Sequence, residues 1–184
     1  ASGQLGVLIS PVKTGKSTII SNLILNKNFF ADLFDIVYII SNTINNDQTS
    51  RFLKQQFPET IWDTYDDNII CLILDDFLGI KAKSQIYHLA TRFRHYNIGL
   101  LLFASQLFRG LPSVIRQNAT FAIIGGPNPN NKEVLKIAEE FGARYGGDQN
   151  FLKIYKEATK KRYDFLYLDL QSNPARAFKT FKEL

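Results

Sequence analysis

Leu5-Gly6-Val7-Leu8-Ile9-Ser10-Pro11-Val12-Lys13-Thr14-Gly15-Lys16-Ser17-Thr18 decides how the rest of the chain reads. An apolar run ends in a short loop, the loop ends in Gly-Lys-Ser-Thr, and helical spacing follows. That order predicts a strand, a phosphate-binding loop and a helix. Backbone N–H groups of Lys13 to Ser17 can face one concavity and hold phosphate oxygens. Gly15 lets the backbone approach the phosphates without a Cβ in the way. Lys16 is placed to reach the β- and γ-phosphates, and the Ser17 hydroxyl to ligate Mg²⁺. The candidate nucleotide-binding residues are Ser10, Pro11, Val12, Lys13, Thr14, Gly15, Lys16, Ser17 and Thr18. One departure stands out: the usual motif has glycine where this chain has Ser10, and Pro11 then pushes Ser10 toward an extended backbone and contributes no N–H.

Working outward, Lys16 to about Leu25 carries Ile19, Ile20, Leu23 and Ile24 at helical spacing. Asp35 to Ile40 reads as a buried strand. Ser41 to Ser50 is a polar loop leading into a helix around Thr49 to Phe57, which Pro58 ends. Trp62 to Asn68 is acidic and irregular. Ile69 to Leu74 is a continuous apolar run, as in a central parallel strand covered on both faces, and it stops at Asp75-Asp76. Gly79 to Lys83 is a basic turn, Ser84 to Tyr96 is helical in pattern, and Gly99 to Ala104 is a further buried strand ending in Ser105-Gln106. Leu111 to Asn118 holds Pro112 and a short helical turn. Phe121 to Ile124 and Phe165 to Leu170 read as strands, with helices at Lys132 to Phe141 and Asn150 to Thr159 between them. Ala175 to Phe181 is either an edge strand or a tail. Strands alternating with helices predict one α/β domain over residues 1–184 with a mainly parallel central sheet flanked by helices.

Such a sheet binds ligands at the carboxyl ends of its strands. There the three polar elements meet: Gly15-Lys16-Ser17 after the first strand, Asp75-Asp76 after the third, Gln106 after the fourth. Phosphoryl transfer needs these chemistries together. Asp75 is the expected Mg²⁺ partner beside Ser17. Asp76 is the expected base or water-positioning carboxylate, and Gln106 the residue that binds the attacking water or senses the γ-phosphate. The alternative for a strand-terminal acidic pair is a helix cap or a solvated loop; the phosphate loop upstream favours the catalytic reading.

Composition bounds the rest. The 184 residues carry a formal net charge of +5, with 45% hydrophobic and 13% aromatic residues, and a pI near 9.3. That suits a single folded domain and is compatible with a polyanion partner. A single cysteine, Cys71, rules out an internal disulfide, sits in an apolar run and suits a reducing intracellular compartment. No apolar run reaches the roughly 18 residues of a membrane span, and no signal-peptide pattern is visible. Lys81 and Lys83 after the carboxylates, and Lys153, Lys156, Lys160, Lys161 and Arg162 later, are the candidate contacts to the phosphates of such a polyanion. There is no zinc pattern, helix-turn-helix or base-reading signature.

Leu72-Ile73-Leu74-Asp75-Asp76, Thr91-Arg92-Phe93-Arg94-His95-Tyr96-Asn97-Ile98, Ser105-Gln106, Leu111 to Asn118 and Glu133 to Gly142 follow one another in a telling order. In these segments the chain resembles the genome-packaging ATPases of large DNA viruses and virophages (the poxvirus, giant-virus and virophage type), within the FtsK–HerA branch of P-loop motors. The resemblance implies a RecA-like P-loop fold and a homo-oligomeric ring. It implies ATP and Mg²⁺ at the site, hydrolysis coupled to sequence-independent movement of double-stranded DNA into a preformed capsid, and contact with capsid or portal-vertex proteins. It also implies a setting in the host cytoplasm, at the viral factory, or in the virion. Many relatives carry Asp-Glu where this chain has Asp75-Asp76. A ring motor takes a cation from the neighbouring subunit to stabilise charge on the transferring phosphate; Arg116 is the first candidate, then Arg94 and Arg92. Competing readings are a cellular translocase of the same superfamily, a small-molecule kinase, for which no arginine-rich lid is visible, and a non-enzymatic nucleotide switch, against which Asp76 and Gln106 argue.

Overall fold

The computed structural model describes residues 3–41, 69–77 and 83–183. The helix expected at 49–57, the acidic stretch 62–68, Lys81 and the side chain of Lys83 lie outside the described residues.

Among the described residues, eight strands form one sheet: β1 (Gln4–Ile9), β2 (Ile36–Ile40), β3 (Ile70–Leu74), β4 (Ile98–Ser105), β5 (Phe121–Gly125), β6 (Phe165–Asp169), β7 (Arg176–Lys179) and β8 (Lys182–Glu183). Their order across the sheet is β2-β3-β4-β1-β5-β6-β7-β8. The pairs from β2 to β5 are parallel. From β5 outward the pairs are antiparallel. The 175–181 stretch, open between strand and tail in the sequence, is β7, with β8 as the outer edge.

Period-two alternation sorts side chains to the two faces. Leu5, Val7 and Ile9 of β1 join Leu101 and Phe103 of β4 on one face. Leu8 joins Leu100, Leu102 and Ala104 on the other. The second face is covered by α1 (Lys16–Leu25) through Ile19, Ile20, Leu23 and Ile24. The first is covered by α2 (Lys83–Arg92), α3 (Ser113–Asn118), α4 (Asn131–Phe141) and α5 (Asp148–Ala158), with Ala90, Ile115, Ile137, Phe141 and Phe151 packed against the sheet. Cys71 is fully buried on β3, and burial pushes its thiol up to about 12, so it is a small core residue.

Helix ends follow local chemistry. The pattern expected to run helically to Tyr96 leaves the α-helix at Arg92 and closes as a 3-10 turn, Phe93–Tyr96, because Asn97 takes the left-handed conformation (φ 54°), which asparagine tolerates. At α4, the Asn130 side chain accepts a hydrogen bond from the Lys132 N–H (3.1 Å) and caps the helix.

Candidate active site

β1, β3 and β4 are adjacent and parallel, so the loops after them share one sheet edge. Register makes this concrete: Ile9 pairs with Ser105, and Leu74 with Phe103. The Ser10 N–H donates to the Ser105 carbonyl (3.0 Å), and the Phe77 N–H to the Ala104 carbonyl (3.0 Å). The Ser105 hydroxyl, fully buried, lies within hydrogen-bond reach of the carbonyls of Phe77 (2.9 Å) and Leu107 (3.0 Å). Ser105 therefore ties the segment carrying Asp75-Asp76 to the one carrying Gln106. Its position before Gln106 was visible in the sequence; its role as a tie was not, because it depends on a residue 28 positions away.

The phosphate loop closes on itself. The Thr14 hydroxyl donates to the Pro11 carbonyl (2.6 Å). With its one proton so used, Thr14 receives the Ser10 hydroxyl at 2.5 Å. Lys13 (φ 63°) and Gly15 (φ 92°) take left-handed conformations, the alternation that turns successive N–H groups into an anion-binding nest. The Gly15 carbonyl accepts the first helical bond, from Ile19 (2.9 Å).

Ser10 is accommodated by its neighbour across the sheet. Its backbone is not among those with positive φ, so the position makes no demand for glycine. Its side chain occupies the space that a Cβ on Gly125 would fill, 2.4 Å from Ser10 Oγ.

Lys16 lies between both carboxylates. Its Nζ is 2.7 Å from Asp75 Oδ1 and ion-paired with Asp76 Oδ1, and the three side chains are only 13%, 7% and 15% exposed. Asp76 holds a left-handed backbone (φ 53°), a strain that clusters at functional sites. Asp75 Oδ2 accepts the Ser41 hydroxyl (3.1 Å). Asp75 Oδ1 is buried and accepts no aligned hydrogen bond among the described residues; Lys16 approaches it as an ion pair only. A buried carboxylate oxygen left in that condition suits a divalent cation, and Mg²⁺ is commonly held by one or two carboxylates with substrate phosphate and water. Asp75 thus suits the Mg²⁺ expected beside it; Ser17 stands in the first turn of α1, directly after Lys16. Gln106 is half-buried directly after β4.

The arginines lie elsewhere. Arg116, in the last turn of α3, pairs with Glu140 and stacks over Phe108 at 4.6 Å. It lines a cleft of about 480 Å³ with Phe108, Arg109, Lys136, Glu139 and Glu140. The Arg94 Nε–H donates to the Gly3 carbonyl (3.1 Å), at the edge of the sheet where β1 begins, opposite the phosphate loop. Arg92 ends α2 beside it and is exposed. The structure does not bring any of the three to Lys16 of the same chain. Glu133, which the sequence marks only as the start of the 133–142 segment, is buried, accepts from the Phe108 N–H (2.9 Å) and stands 3.5 Å from Arg109. It fastens the segment after Gln106 to α4.

The sequence matches no family model and no curated protein. Solved structures do match in fold. The genome packaging NTPase B204 from Sulfolobus turreted icosahedral virus 2, in complex with sulfate, superposes with a TM-score of 0.67 at 17% identity over 96% of each chain. The fold is that of this packaging NTPase. B204, the DNA-packaging ATPase from Sulfolobus turreted icosahedral virus, gives 0.66 at 16% identity over 96% of this chain and 97% of that one. The B204 complex with ATP-gammaS gives 0.59 at 17% identity, with the same coverage. In this packaging-NTPase fold, the cluster of Lys16, Asp75 and Asp76 stands at the strand ends where an α/β sheet binds its ligand.

Proposed function

We propose that this chain is an ATP-driven motor of the FtsK–HerA type that packages double-stranded viral DNA into a preformed capsid. The observation that carries the reading is the buried cluster of one ammonium and two carboxylates on the edge shared by β1, β3 and β4. It is supported by a fold held in common with packaging NTPases over 96% of the chain.

Lys16 leaves the carboxylates and takes the β- and γ-phosphates. That frees Asp76 to orient the attacking water and accept its proton as oxygen bonds to the γ-phosphorus and ADP departs. Gln106 holds the same water from β4. Ser17 and Asp75 would hold Mg²⁺, which would supply neutralisation of phosphate charge. The subunits form a homo-oligomeric ring, and the neighbour's Arg116 completes each site, released from Glu140 as the interface closes. DNA is gripped by exposed lysines such as Lys153 and Lys156 without base reading, so affinity falls steeply with salt. Capsid or portal-vertex proteins receive the ring in the host cytoplasm or the virion.

The test uses two disabled chains. Lys16→Ala lacks a phosphate grip but still offers Arg116; Arg116→Ala is the reverse. Each alone is expected to be inactive. Mixed one to one, they regain roughly a quarter of wild-type turnover, the chance that a competent loop meets a competent arginine around a head-to-tail ring. No recovery in a mixture that assembles removes Arg116 from the shared site. Turnover per subunit that stays flat with concentration in a monomeric protein overturns the ring.

A further inference from the structure

The basic turn before β6 lies beside the phosphate loop. β6 runs antiparallel to β5, with Gly125 opposite Phe165, so the residues just before Phe165 return to the edge where β1 and β5 end. There the Tyr163 ring meets Gly15: a Cβ built on Gly15 would lie 3.2 Å from Tyr163 Cδ1. Tyr163 is nonetheless 53% exposed. The Arg162 guanidinium lies over its ring at 4.9 Å.

The turn is built to hold this ring in place. The Asp164 N–H donates to the Lys161 carbonyl (3.1 Å), and the Asp164 carboxylate accepts the Lys161 N–H (3.3 Å). The Gly126 N–H donates to the Asp164 carbonyl (3.2 Å), and Lys179 pairs with the Asp164 carboxylate (3.3 Å). Tyr163 itself has a left-handed backbone (φ 73°). That is a conformation a bulky residue adopts at a cost and that concentrates at ligand clamps.

Strand order says which part of a nucleotide comes here. Asp75-Asp76 and Gln106 follow β3 and β4, on one side of β1; β5 and β6 lie on the other. A triphosphate whose γ end faces Asp76 and whose β-phosphate lies on the loop leads its nucleoside away from the carboxylates, toward β5 and β6. Among the described residues, Tyr163 is an exposed aromatic surface on that path, against Gly15 itself. We infer that Tyr163 is the platform on which the nucleotide base stacks, with Arg162 on the same ring. This rests on the nucleotide reading above. Base–aromatic stacking is sequence-tolerant because every base has a π-face, so the ligand class is nucleotides, purine or pyrimidine, held by ring face.

Binding of ATP and of inorganic tripolyphosphate, each with Mg²⁺, tests it in the full chain. Tyr163→Ala is expected to weaken ATP binding by about 5- to 150-fold, the range that removing one stacked base spans, while tripolyphosphate binding stays within about twofold. Tyr163→Phe keeps ATP binding within about twofold, since the ring remains. Unchanged ATP affinity in Tyr163→Ala overturns the platform. So does an equal loss for both ligands, which would mean that Tyr163 only shapes the phosphate loop. A wild-type chain that binds neither ligand, or binds them equally well as Lys16→Ala, overturns the nucleotide reading and the platform with it. Wild-type, Lys16-dependent binding with an indifferent Tyr163→Ala overturns the platform alone.

Discussion

β1 divides its sheet edge into two flanks of different construction. On the β3–β4 side, every pair is parallel, and the polar residues stand at the ends of buried strands: Asp75, Asp76, Gln106. Lys16 is drawn to that side and is mostly buried there with two carboxylates. On the β5–β6 side the sheet turns antiparallel. The edge is built from a returning turn, exposed cations and an exposed ring, Arg162 over Tyr163. The first flank concentrates charge of both signs where water is scarce and fields are strong. The second offers area and positive charge in contact with solvent. The division matches what a nucleoside triphosphate presents: a reacting, metal-bearing end and a flat apolar end. One flank suits chemistry, the other suits binding.

The largest effect that can break this comparison is kinetic. Asp76→Asn is expected to bind ATP at least as tightly as wild type, because Lys16 loses one of two competitors for its ammonium. Its turnover should fall by about 10²- to 10⁴-fold, the range that general acid–base groups supply. Titration of nucleotide binding beside steady-state hydrolysis checks both halves. Tyr163→Ala should show the opposite split. A base stacked equally in ground and transition state changes KM and leaves kcat within about twofold. If both variants lose kcat, the flanks are not separate devices.

The two flanks also differ in how readily the sequence announced them. Lys16, Asp75 and Gln106 each terminate a continuous apolar run or follow a glycine motif, and parallel β-α-β topology alone carries strand ends to a common edge. Helix ends were legible to within a few residues, with Asn97 cutting α2 short for a local reason. Tyr163 carried no such signal. It reaches Gly15 only because α5 leads into an antiparallel return, and strand direction depends on pairing that no local pattern records. The sequence shows Lys160, Lys161 and Arg162 as part of a basic run; that the run turns back beside the phosphate loop depends on the same pairing. Arg116 was singled out by its segment, but its link to Glu140, 24 positions on, is a tertiary fact. Ser10 looked like a flaw because its compensation sits in another strand, at Gly125.

That compensation yields the next prediction, at the seam between the flanks. Gly125→Ala puts a Cβ against Ser10 Oγ and Cβ, at 2.4 and 2.9 Å before relaxation, with Ser10 Cα at an acceptable 3.4 Å. Overpacking of this kind costs about 1–3 kcal/mol. Adding Ser10→Gly removes the two obstructing atoms and restores the usual motif glycine. The double variant should recover most of the loss, giving a favourable coupling of order 1 kcal/mol or more in a denaturation cycle. Additive losses would mean that Ser10 and Gly125 do not share the space.

The smallest effect probes how firmly the binding flank is held. Lys179 on β7 pairs with Asp164 at 3.3 Å, with the two side chains 30% and 19% exposed. Partly exposed pairs contribute about 0.2–1 kcal/mol, so Lys179→Ala should barely change the melting temperature. Its consequence is positional. Asp164 closes the turn that presents Tyr163, and loosening it lets the ring leave Gly15 part of the time. ATP affinity should then fall by no more than about fivefold, the equilibrium equivalent of that ion-pair range. Tripolyphosphate affinity should fall less, and the difference from wild type should shrink as salt screens the pair. A loss as large as that of Tyr163→Ala would make the turn, not the ring, the unit that binds.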